Sequence, residues 1–340
     1  MQRKTSPSGK RILFYSSVSD VSFFNTQKFY QIDIDLLKDL GFLVIPTNKK
    51  KDFLKFWKYD IAFCYFYKWA FIPAVISRLL FKKVYFTGGI DDLSKDKKSK
   101  RYKRQKLLFR ICYRFATKCF IVSTEDYKNV GDIIKNKKKL FLSFHSIRID
   151  SFSRNLTDNR TDDFFSIAWM KNKDNVMRKG LDKALLLFSE LSKKEKYANS
   201  VFYIAGTEGD GSDYLRQIIK NNSISNVVFL GNITEEQKIE YLNSVTYYFQ
   251  LSEYEGFGLA ALEALAAGCI VIHSGRGGLK DCISGDGIIV DIASSLTEQI
   301  KNLDDSLVKF TEQQIENGIK RISSLFSNER RKKDFSLICN

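Results

Sequence analysis

Two glutamates interrupt an apolar stretch, EGFGLAALEALAAGC, that spans residues 255–269. A strand is predicted just before this stretch, and a helix is predicted over about 258–267 within it. Ligands of parallel α/β sheets bind at the carboxyl ends of strands, so Glu255 is predicted to lie at a binding edge. Glu263 falls inside a helix of leucine and alanine, where an ionised carboxylate is costly unless it is paired or hydrogen-bonded.

The start of this helix offers a second kind of chemistry. Its free backbone N–H groups and positive dipole end favour a phosphate group, and Gly256 and Gly258 allow a ligand to approach the backbone. The residues alone leave two interpretations of the acids open. They form a ligand-binding pair, or Glu263 bonds a neighbouring loop while Glu255 is a solvated turn residue.

Strands and helices alternate along the chain, which predicts parallel sheets with helices on both faces. The alternation breaks at the aperiodic polar stretch 153–163, interpreted as a linker, and then restarts. The second set opens with a predicted strand at 165–170 and a helix at 180–193. We therefore predict two doubly wound domains, at 1–152 and 160–322.

The segment SEYEGFGLAALEALAAGCIVI, with its Glu-x7-Glu spacing, resembles the signature of the family-4 retaining glycosyltransferases of the group 1 type. RKGLDKALLLFSEL (178–191) resembles the Lys-Gly helix opening of that family, and GRGGLKDCISGDGIIV (275–290) resembles the segment after its signature. The resemblance implies the GT-B architecture, in which two Rossmann-like domains face a central cleft. The N-terminal domain then binds the acceptor, the C-terminal domain binds the donor, and a helix in 323–340 packs back on the N-terminal domain.

The resemblance also implies roles for the matched positions. Glu255 is expected to be catalytic and to orient the donor sugar, while Glu263 accepts hydrogen bonds from the nucleotide ribose. Arg178 and Lys179 are expected to neutralise the diphosphate, with a solvated helix start as their open alternative. No metal or other cofactor is expected, because these cations supply the positive charge. The donor-binding set comprises Arg178, Lys179, Gly206, Gly231, Asn232, Ile233, Gly256, Phe257, Gly258, Leu259 and Glu263.

The first half of the chain departs from this family. The glycine-rich opening loop is replaced by SSVSDVSFFN, and DIAFCYFYKW lacks a histidine, so no general base is carried over. Gly88, Gly89 and Asp91, at a predicted strand end, are the candidates for an acceptor loop. His145 is interpreted as structural, and His273, at the end of the strand after the signature, is a candidate to approach the donor.

The charge of the chain is concentrated in its first half. The formal net charge is +16; residues 1–150 carry 32 Lys and Arg against 13 Asp and Glu, and the remainder carries 23 against 26. The basic segment 98–119, with Leu107, Leu108, Ile111 and Phe115, reads as an amphipathic helix suited to an anionic bilayer, and the segment 73–83 is similar in type. A helix packed on its sheet with solvated lysines is the alternative. The segment lacks a recognition motif, so nucleic acid is not the expected partner.

The remaining features limit the classes of protein to which the chain can belong. Six cysteines include no Cys-x-x-Cys pair, and only two histidines are present, so a zinc site is not expected. The apolar stretch 61–81 is long enough to suggest a membrane span. Lys68, Arg78 and the central Pro73 favour instead a buried strand at 61–66 and a helix beginning near Pro73. With no secretory signal evident, the expected location is cytoplasmic.

These observations predict a retaining, metal-independent glycosyltransferase. It is expected to move a sugar from a nucleotide diphosphate sugar to a glycan or a polyprenyl-diphosphate-linked saccharide in bacterial surface polysaccharide or lipopolysaccharide biosynthesis. Its expected place is the inner face of the cell membrane, as a peripheral protein on an anionic surface. The alternatives are a basic nucleic-acid- or membrane-binding protein without turnover, and a nucleotide-sugar-binding protein without catalysis.

Overall fold

The computed structural model describes residues 9–90, 93, 98–152 and 160–339. The chain divides into two α/β units. The first unit comprises Met1–Ile147 and Leu325–Asn340, and the second comprises Arg148–Ser324. Each unit is built on one parallel sheet of six strands.

The sheet of the first unit has the strand order β2-β1-β3-β4-β5-β6. Alternate residues of the strand Arg11–Tyr15, the second in this order, point to opposite faces of the sheet. Leu13 and Tyr15 enter one hydrophobic cluster, and Ile12 and Phe14 enter another. Both faces of the sheet are therefore covered. The strands are β1 (Arg11–Tyr15), β2 (Leu43–Thr47), β3 (Ile61–Tyr65), β4 (Lys83–Thr87), β5 (Lys118–Ile121) and β6 (Leu140–Leu142).

The helices of the first unit lie between these strands, with one more at the end of the chain. They are α1 (Phe23–Thr26), α2 (Lys28–Asp39), α3 (Phe71–Leu79), α4 (Lys100–Phe115), α5 (Thr124–Gly131) and, at the chain's end, α14 (Asn328–Phe335). Short 3-10 helices lie at Lys50–Leu54, Phe56–Lys58 and Ser336–Ile338.

The apolar stretch 61–81 is divided between two elements. All five residues of β3 are buried, as expected for a parallel strand with both faces covered. Pro73 lies in the first turn of α3, where its missing N–H has no intrahelical acceptor to lose. Across the part of the chain that the structure describes, no helix combines the length and apolarity needed to span a bilayer.

The end of the chain returns to the first unit. Helix α14 packs on α2, and Arg331 is buried with 1% of its side chain exposed. Its guanidinium donates to Asp33 Oδ2 at 2.6 Å and to the backbone oxygen of Phe144 at 2.7 Å. The hydroxyl of Tyr65 also donates to Asp33. A buried, fully bonded ion pair thus joins the last helix to this unit.

The sheet of the second unit has the strand order β12-β11-β10-β7-β8-β9. Its strands are β7 (Thr161–Ile167), β8 (Phe202–Ala205), β9 (Val227–Gly231), β10 (Val245–Gln250), β11 (Ile270–His273) and β12 (Ile288–Ile289). Its helices are α6 (Lys173–Lys179), α7 (Leu181–Leu191), α8 (Asp210–Asn221), α9 (Glu235–Ser244), α10 (Leu259–Ala266), α11 (Leu279–Cys282), α12 (Leu296–Lys309) and α13 (Glu312–Leu325). Further 3-10 turns lie at Ile149–Ser151 and Glu195–Tyr197.

In the second unit, one predicted boundary is wrong and one helix was not predicted. Residues 161–163 of the polar stretch 153–163 are not linker, because β7 begins at Thr161, and Thr161 pairs with Val245 of β10. Residues 153–159 lie outside the described part of the chain. The helix predicted at 180–193 is preceded by a separate helix, α6. Gly180 adopts a left-handed conformation with φ +70° and separates α6 from α7.

Candidate functional site

The loop with the first glutamate follows β10 at the carboxyl edge of the second sheet. It enters α10 through Gly258, which precedes the helix with φ +100°. A Cβ at this position would lie 2.8 Å from Leu279 Cδ2 and 3.1 Å from the sulfur of Cys282. Glycine is therefore required both for the backbone conformation and for the close packing of α11 on the helix start.

Glu255 is paired with the predicted diphosphate-binding lysine. Lys179 Nζ lies 2.7 Å from Oε1 and 2.8 Å from Oε2 of Glu255, and both side chains are mostly buried. Sequence reasoning assigned the two residues to different parts of a donor and did not anticipate their contact. The structure brings the two side chains into direct contact, so each neutralises the charge of the other.

Gly180 positions Lys179 beside this loop. A Cβ on Gly180 would lie 2.0 Å from the backbone oxygen of Leu251, so only glycine permits this approach. The amide of Glu253 donates to the backbone oxygen of Arg178 at 2.9 Å. The junction of α6 and α7 is thus held against the end of β10, which fixes the lysine near the carboxylate.

Replacing Gly180 with alanine should destabilise the protein by more than about 2 kcal/mol, because the new Cβ meets backbone and the left-handed conformation disfavours it. Gly285→Ala is the matched control, since no atom outside its neighbours lies within 4 Å of the added Cβ. Thermal and urea unfolding of both variants checks this prediction. Equal stability of the two variants would contradict the assigned role of Gly180.

The ion pair governs the ionisation of Glu255. Burial raises the pKa of this carboxyl, but the charge and hydrogen bonds of Lys179, aided by Ser252 and Arg178, hold the pKa below its ordinary value. Glu255 therefore stays ionised at neutral pH. A charged carboxylate at a strand's carboxyl edge accepts hydrogen bonds from hydroxyl groups, including those of sugars.

Gly277 and Gly278 pack against the loop that contains Glu255. The amide of Gly278 donates to the backbone oxygen of Glu255 at 2.7 Å, and a Cβ on Gly277 would lie 2.1 Å from that oxygen. A Cβ on Gly278 would lie 2.4 Å from Phe257 Cα. Phe257 is buried, with 5% exposure. Of the predicted donor-binding residues, Phe257 thus serves to pack the loop.

Glu263 lies in α10 with 8% of its surface exposed, and its partner is a lysine. Lys238 Nζ of α9 lies 2.6 Å from Glu263 Oε2 and 2.9 Å from Glu235 Oε1. Burial lowers the pKa of Lys238, but the charges of Glu263 and Glu235 outweigh this and raise the pKa above its ordinary value. Sequence reasoning missed Lys238, which lies on a predicted amphipathic helix among other charged residues and carried no signal of burial.

The remaining donor candidates lie at the ends of β8 and β9. A Cβ on Gly206 would lie 1.9 Å from the backbone oxygen of Ala168, and its amide donates to Gly231 at 2.8 Å. Asn232 is exposed and accepts from Thr207 Oγ1 at 2.8 Å, and Ile233 follows it. In the strand order, β7 and β8 separate β9 from the Glu255 loop. A ligand contacting both ends must therefore extend along the carboxyl edge.

Arg178 lies next to Lys179 at the end of α6. It donates to Asn175 Oδ1 at 2.9 Å and contributes to the lowered pKa of Glu255. Gly256 and Leu259 flank the start of α10 and lie at the surface or only partly buried. These positions place two cations and a helix start around the Glu255 carboxylate.

Neither histidine carries an obvious acid–base role. His273 is fully buried at the end of β11, its Nδ1 accepts from the amide of Gly275 at 3.2 Å, and burial lowers its pKa to about 4. His145 of the first unit stacks on Tyr65, and burial together with the charge of Arg331 lowers its pKa well below the ordinary value. Both imidazoles are neutral at pH 7.

The candidate acceptor loop follows β4 in the first unit. Gly88 has φ +105°, and a Cβ on it would lie 2.9 Å from Phe66 Cδ1. Gly89 follows it at partial exposure, and the next amide, that of Ile90, donates to Asp126. Asp91 lies outside the described residues. Within the described ranges, no group of three His, Cys, Asp or Glu side chains is arranged to hold a metal ion.

Two doubly wound parallel sheets, the second bearing paired acids and cations at its carboxyl edge, define an α/β protein of GT-B architecture. Residues 174–336, just under half of the chain, match the family described as Glycosyl transferases group 1. An uncharacterized glycosyltransferase of Methanocaldococcus jannaschii is 38% identical over 86 residues. That alignment spans 25% of this chain and 22% of the relative.

Solved structures share the fold over nearly the whole chain. HepE of Anabaena, in complex with UDP and glucose, superposes with a TM-score of 0.74 at 14% identity, covering 97% of this chain and 99% of that chain. Sucrose-phosphate synthase from Thermosynechococcus elongatus gives a TM-score of 0.72 at 15% identity, covering 97% and 98%. The predicted fold class and the resemblance to group 1 glycosyltransferases are confirmed.

Proposed function

We propose that this protein is a retaining glycosyltransferase that uses a nucleotide diphosphate sugar as donor. The observation that carries the proposal is the constellation of Glu255, Lys179 and Glu263 at the carboxyl edge of a sheet within a group 1 glycosyltransferase domain. A strand's carboxyl edge is where ligands of such sheets bind. The UDP complexes of HepE, a protein of the same fold, support a nucleotide-sugar donor.

Each group has a distinct role in this proposal. The carboxylate of Glu263 accepts hydrogen bonds from the ribose hydroxyls, and Glu255 orients the hydroxyls of the sugar. Lys179 and Arg178 neutralise the diphosphate, whose distal phosphate meets the amides at the start of α10. Donor binding exchanges partners, because the phosphates replace Glu255 as the counter-charge of Lys179.

The chemistry follows from the bond that breaks. Cleavage of the bond between the sugar and the diphosphate builds positive charge on the sugar and negative charge on the leaving group. Fixed cations and a helix N-terminus stabilise that negative charge without a metal ion. The acceptor hydroxyl attacks the same face, its proton passes to the leaving phosphate, and the sugar keeps its anomeric configuration.

The acceptor in this proposal is a glycan or a polyprenyl-diphosphate-linked saccharide. The strongly basic first half favours an acceptor at an anionic surface. The setting that fits is bacterial surface polysaccharide or lipopolysaccharide assembly, with the protein peripheral on the inner face of the cell membrane.

A donor panel tests the proposed function. Thermal unfolding with UDP, GDP, ADP and dTDP sugars should show stabilisation by one nucleotide, about 2.7 kcal/mol at a hundredfold excess over Kd. Donor hydrolysis and transfer should fall at least about a hundredfold in Glu255→Ala and Glu263→Ala, which lose ionic hydrogen bonds to the donor. Glu253→Ala is the matched control, because this neighbouring acid is exposed and only reaches Lys183 at 3.7 Å.

Each outcome of this panel is decisive. Unchanged turnover in both Glu255→Ala and Glu263→Ala would refute the site assignment. Stabilisation by a nucleotide sugar with neither hydrolysis nor transfer would show a binding protein without catalysis. Tight binding of nucleic acid with no response to any nucleotide would refute the proposal altogether.

A further inference from the structure

Several elements cover one face of the first unit's sheet, and we call a group of them the basic layer. It consists of the 3-10 helices at 50–58, the segment 68–82 that contains α3, and α4. Helix α3 contacts both the first 3-10 helix and α4. The inner side of the layer is apolar and belongs to one hydrophobic cluster, in which Phe53, Ala74 and Phe109 are fully buried. The three elements therefore present one outer surface.

That outer surface carries large apolar side chains that face solvent. Phe81, just after α3, is 94% exposed, and Leu79 at the end of the helix is 69% exposed. Scattered exposed apolar residues are normal, but a concentration of aromatic ones on a single layer is a feature of interaction sites. The other members are Leu54, Phe56, Trp57, Trp69 and Leu107.

Phe81 is the most unusual of these residues. Its φ is +57°, and it occupies the left-handed position that follows a helix, where the amide of Lys82 donates to Ser77 at 2.9 Å. Glycine is the ordinary residue at such a position, and a bulky side chain there is uncommon. A fully exposed phenylalanine at this site contributes nothing to packing within the described chain, so its role lies outside the fold.

The rim of this surface is strongly basic. Helix α4 carries seven lysines and arginines and no acidic residue in sixteen positions. Lys50 lies 4.9 Å from the ring centroid of Trp69, and Arg104 lies 5.7 Å from it, so cations and aromatic rings are interleaved. The exposed cations of the layer are Lys51, Lys58, Lys68, Arg78, Lys100, Arg101, Lys103, Arg104, Arg110 and Arg114.

Within α4, most of the apolar residues singled out in the sequence do not face outward. Leu108, Ile111 and Phe115 are partly buried, because α4 packs on the sheet through Tyr102, Phe109 and Cys112. Of the four apolar residues emphasised in that helix, only Leu107 is exposed. The apolar contribution to the surface thus comes mainly from the end of α3 and from the 3-10 helices.

We infer that the basic layer docks on an anionic lipid bilayer, with Phe81 and Leu79 entering the interface and the surrounding cations contacting lipid headgroups. Charge complementarity argues for this partner. Exposed aliphatic and aromatic side chains suit the boundary between headgroups and acyl chains, whereas a surface that binds the phosphate backbone of nucleic acid gains nothing from an exposed leucine. A second copy of the chain would bring two strongly positive faces together and be repelled.

This inference specifies the membrane contact of the proposed function, but its test does not require transferase activity. Purified full-length protein is sedimented with vesicles of phosphatidylcholine alone and with vesicles containing about a third phosphatidylglycerol. We expect binding only to the anionic vesicles, and loss of binding when salt rises from about 0.1 M to 1 M, where the Debye length falls from ~10 to ~3 Å.

The decisive variant is Phe81→Gly, with Leu79→Ser added. Glycine suits the left-handed backbone at position 81, so thermal stability should be kept or raised while affinity for anionic vesicles falls about tenfold or more. Val308→Ser is the matched control, because Val308 is 87% exposed in the nearly neutral second unit. Its vesicle binding should equal that of the parent protein.

Three results would overturn the inference. In the first, the Phe81→Gly, Leu79→Ser variant binds anionic vesicles as tightly as the parent protein does. In the second, the parent binds neutral and anionic vesicles equally. In the third, the parent binds no vesicles and the variant differs from it in oligomeric state. Binding of single-stranded or duplex DNA that outcompetes anionic vesicles would also overturn it. Glu263→Ala, which removes a proposed donor contact, should leave vesicle binding unchanged, so failure of the proposed function and failure of this inference are separable.

Discussion

Replacing Arg331 with methionine should lower the free energy of unfolding by about 3–5 kcal/mol, because removal of one member of a buried ion pair leaves the other charge uncompensated. Asp33 is 1% exposed and would keep only the hydroxyl of Tyr65 as a donor among the partners described for it. The backbone oxygen of Phe144 would also lose its hydrogen bond from Arg331. Urea unfolding followed by tryptophan fluorescence measures this effect.

Two further variants separate charge from packing. Arg330→Met is the control, since Arg330 is exposed and pairs only with Asp334 at 3.7 Å on the same helix; its effect should be within about 0.5 kcal/mol. The double variant Asp33→Asn, Arg331→Met should recover part of the loss, because no uncompensated charge remains. A double variant less stable than Arg331→Met would contradict this account.

Replacing Lys238 with methionine should destabilise the protein by about 3 kcal/mol, because Glu263 then lies in an apolar helix without its lysine. The same change is expected to weaken binding of the donor nucleotide about tenfold under the proposed function, since Glu263 loses the lysine that holds its carboxylate in position for the ribose hydroxyls. Unfolding and calorimetric titration with UDP measure the two effects.

Measuring both stability and nucleotide affinity shows whether Lys238 positions Glu263 for the nucleotide or only stabilises the fold. Lys238→Arg keeps the charge and should recover most of the affinity. Lys220→Met is the control, because Lys220 is an exposed lysine in the last turn of another helix, α8, and its loss should not change Kd. If Lys238→Met loses stability but binds nucleotide as the parent does, Lys238 supports the fold alone and the assignment of Glu263 to the ribose is wrong.

The fold was largely accessible from the sequence because its signals are local. The continuous apolar run of Ile61–Tyr65 and the alternation of strands with helices follow from burial on both faces of a parallel sheet. Gly180 is an example of a feature that local sequence signals do not predict. Its left-handed conformation divides α6 from α7 because the backbone oxygen of Leu251 lies against it, and that contact joins residues far apart in the chain.

The candidate site was also only partly predictable from the sequence. The spacing of Glu255 and Glu263 was readable because both belong to one loop and one helix. Their partners, Lys179 and Lys238, come from α6 and α9, and such long-range pairing leaves no mark on composition or periodicity. Of the apolar residues that the sequence singled out in α4, only Leu107 is exposed, whereas Phe81 is exposed by the turn after α3.

The return of the last helix to the first unit also orders the folding of the chain. The second unit is a continuous segment, Arg148–Ser324, and can close its contacts as soon as that segment is synthesised. The first unit cannot, because the Asp33–Arg331 pair joins residues 298 positions apart. Until α14 is synthesised, Asp33 lacks Arg331 and the surface under α14 stays uncovered, so the first unit is completed only after the second unit has been made.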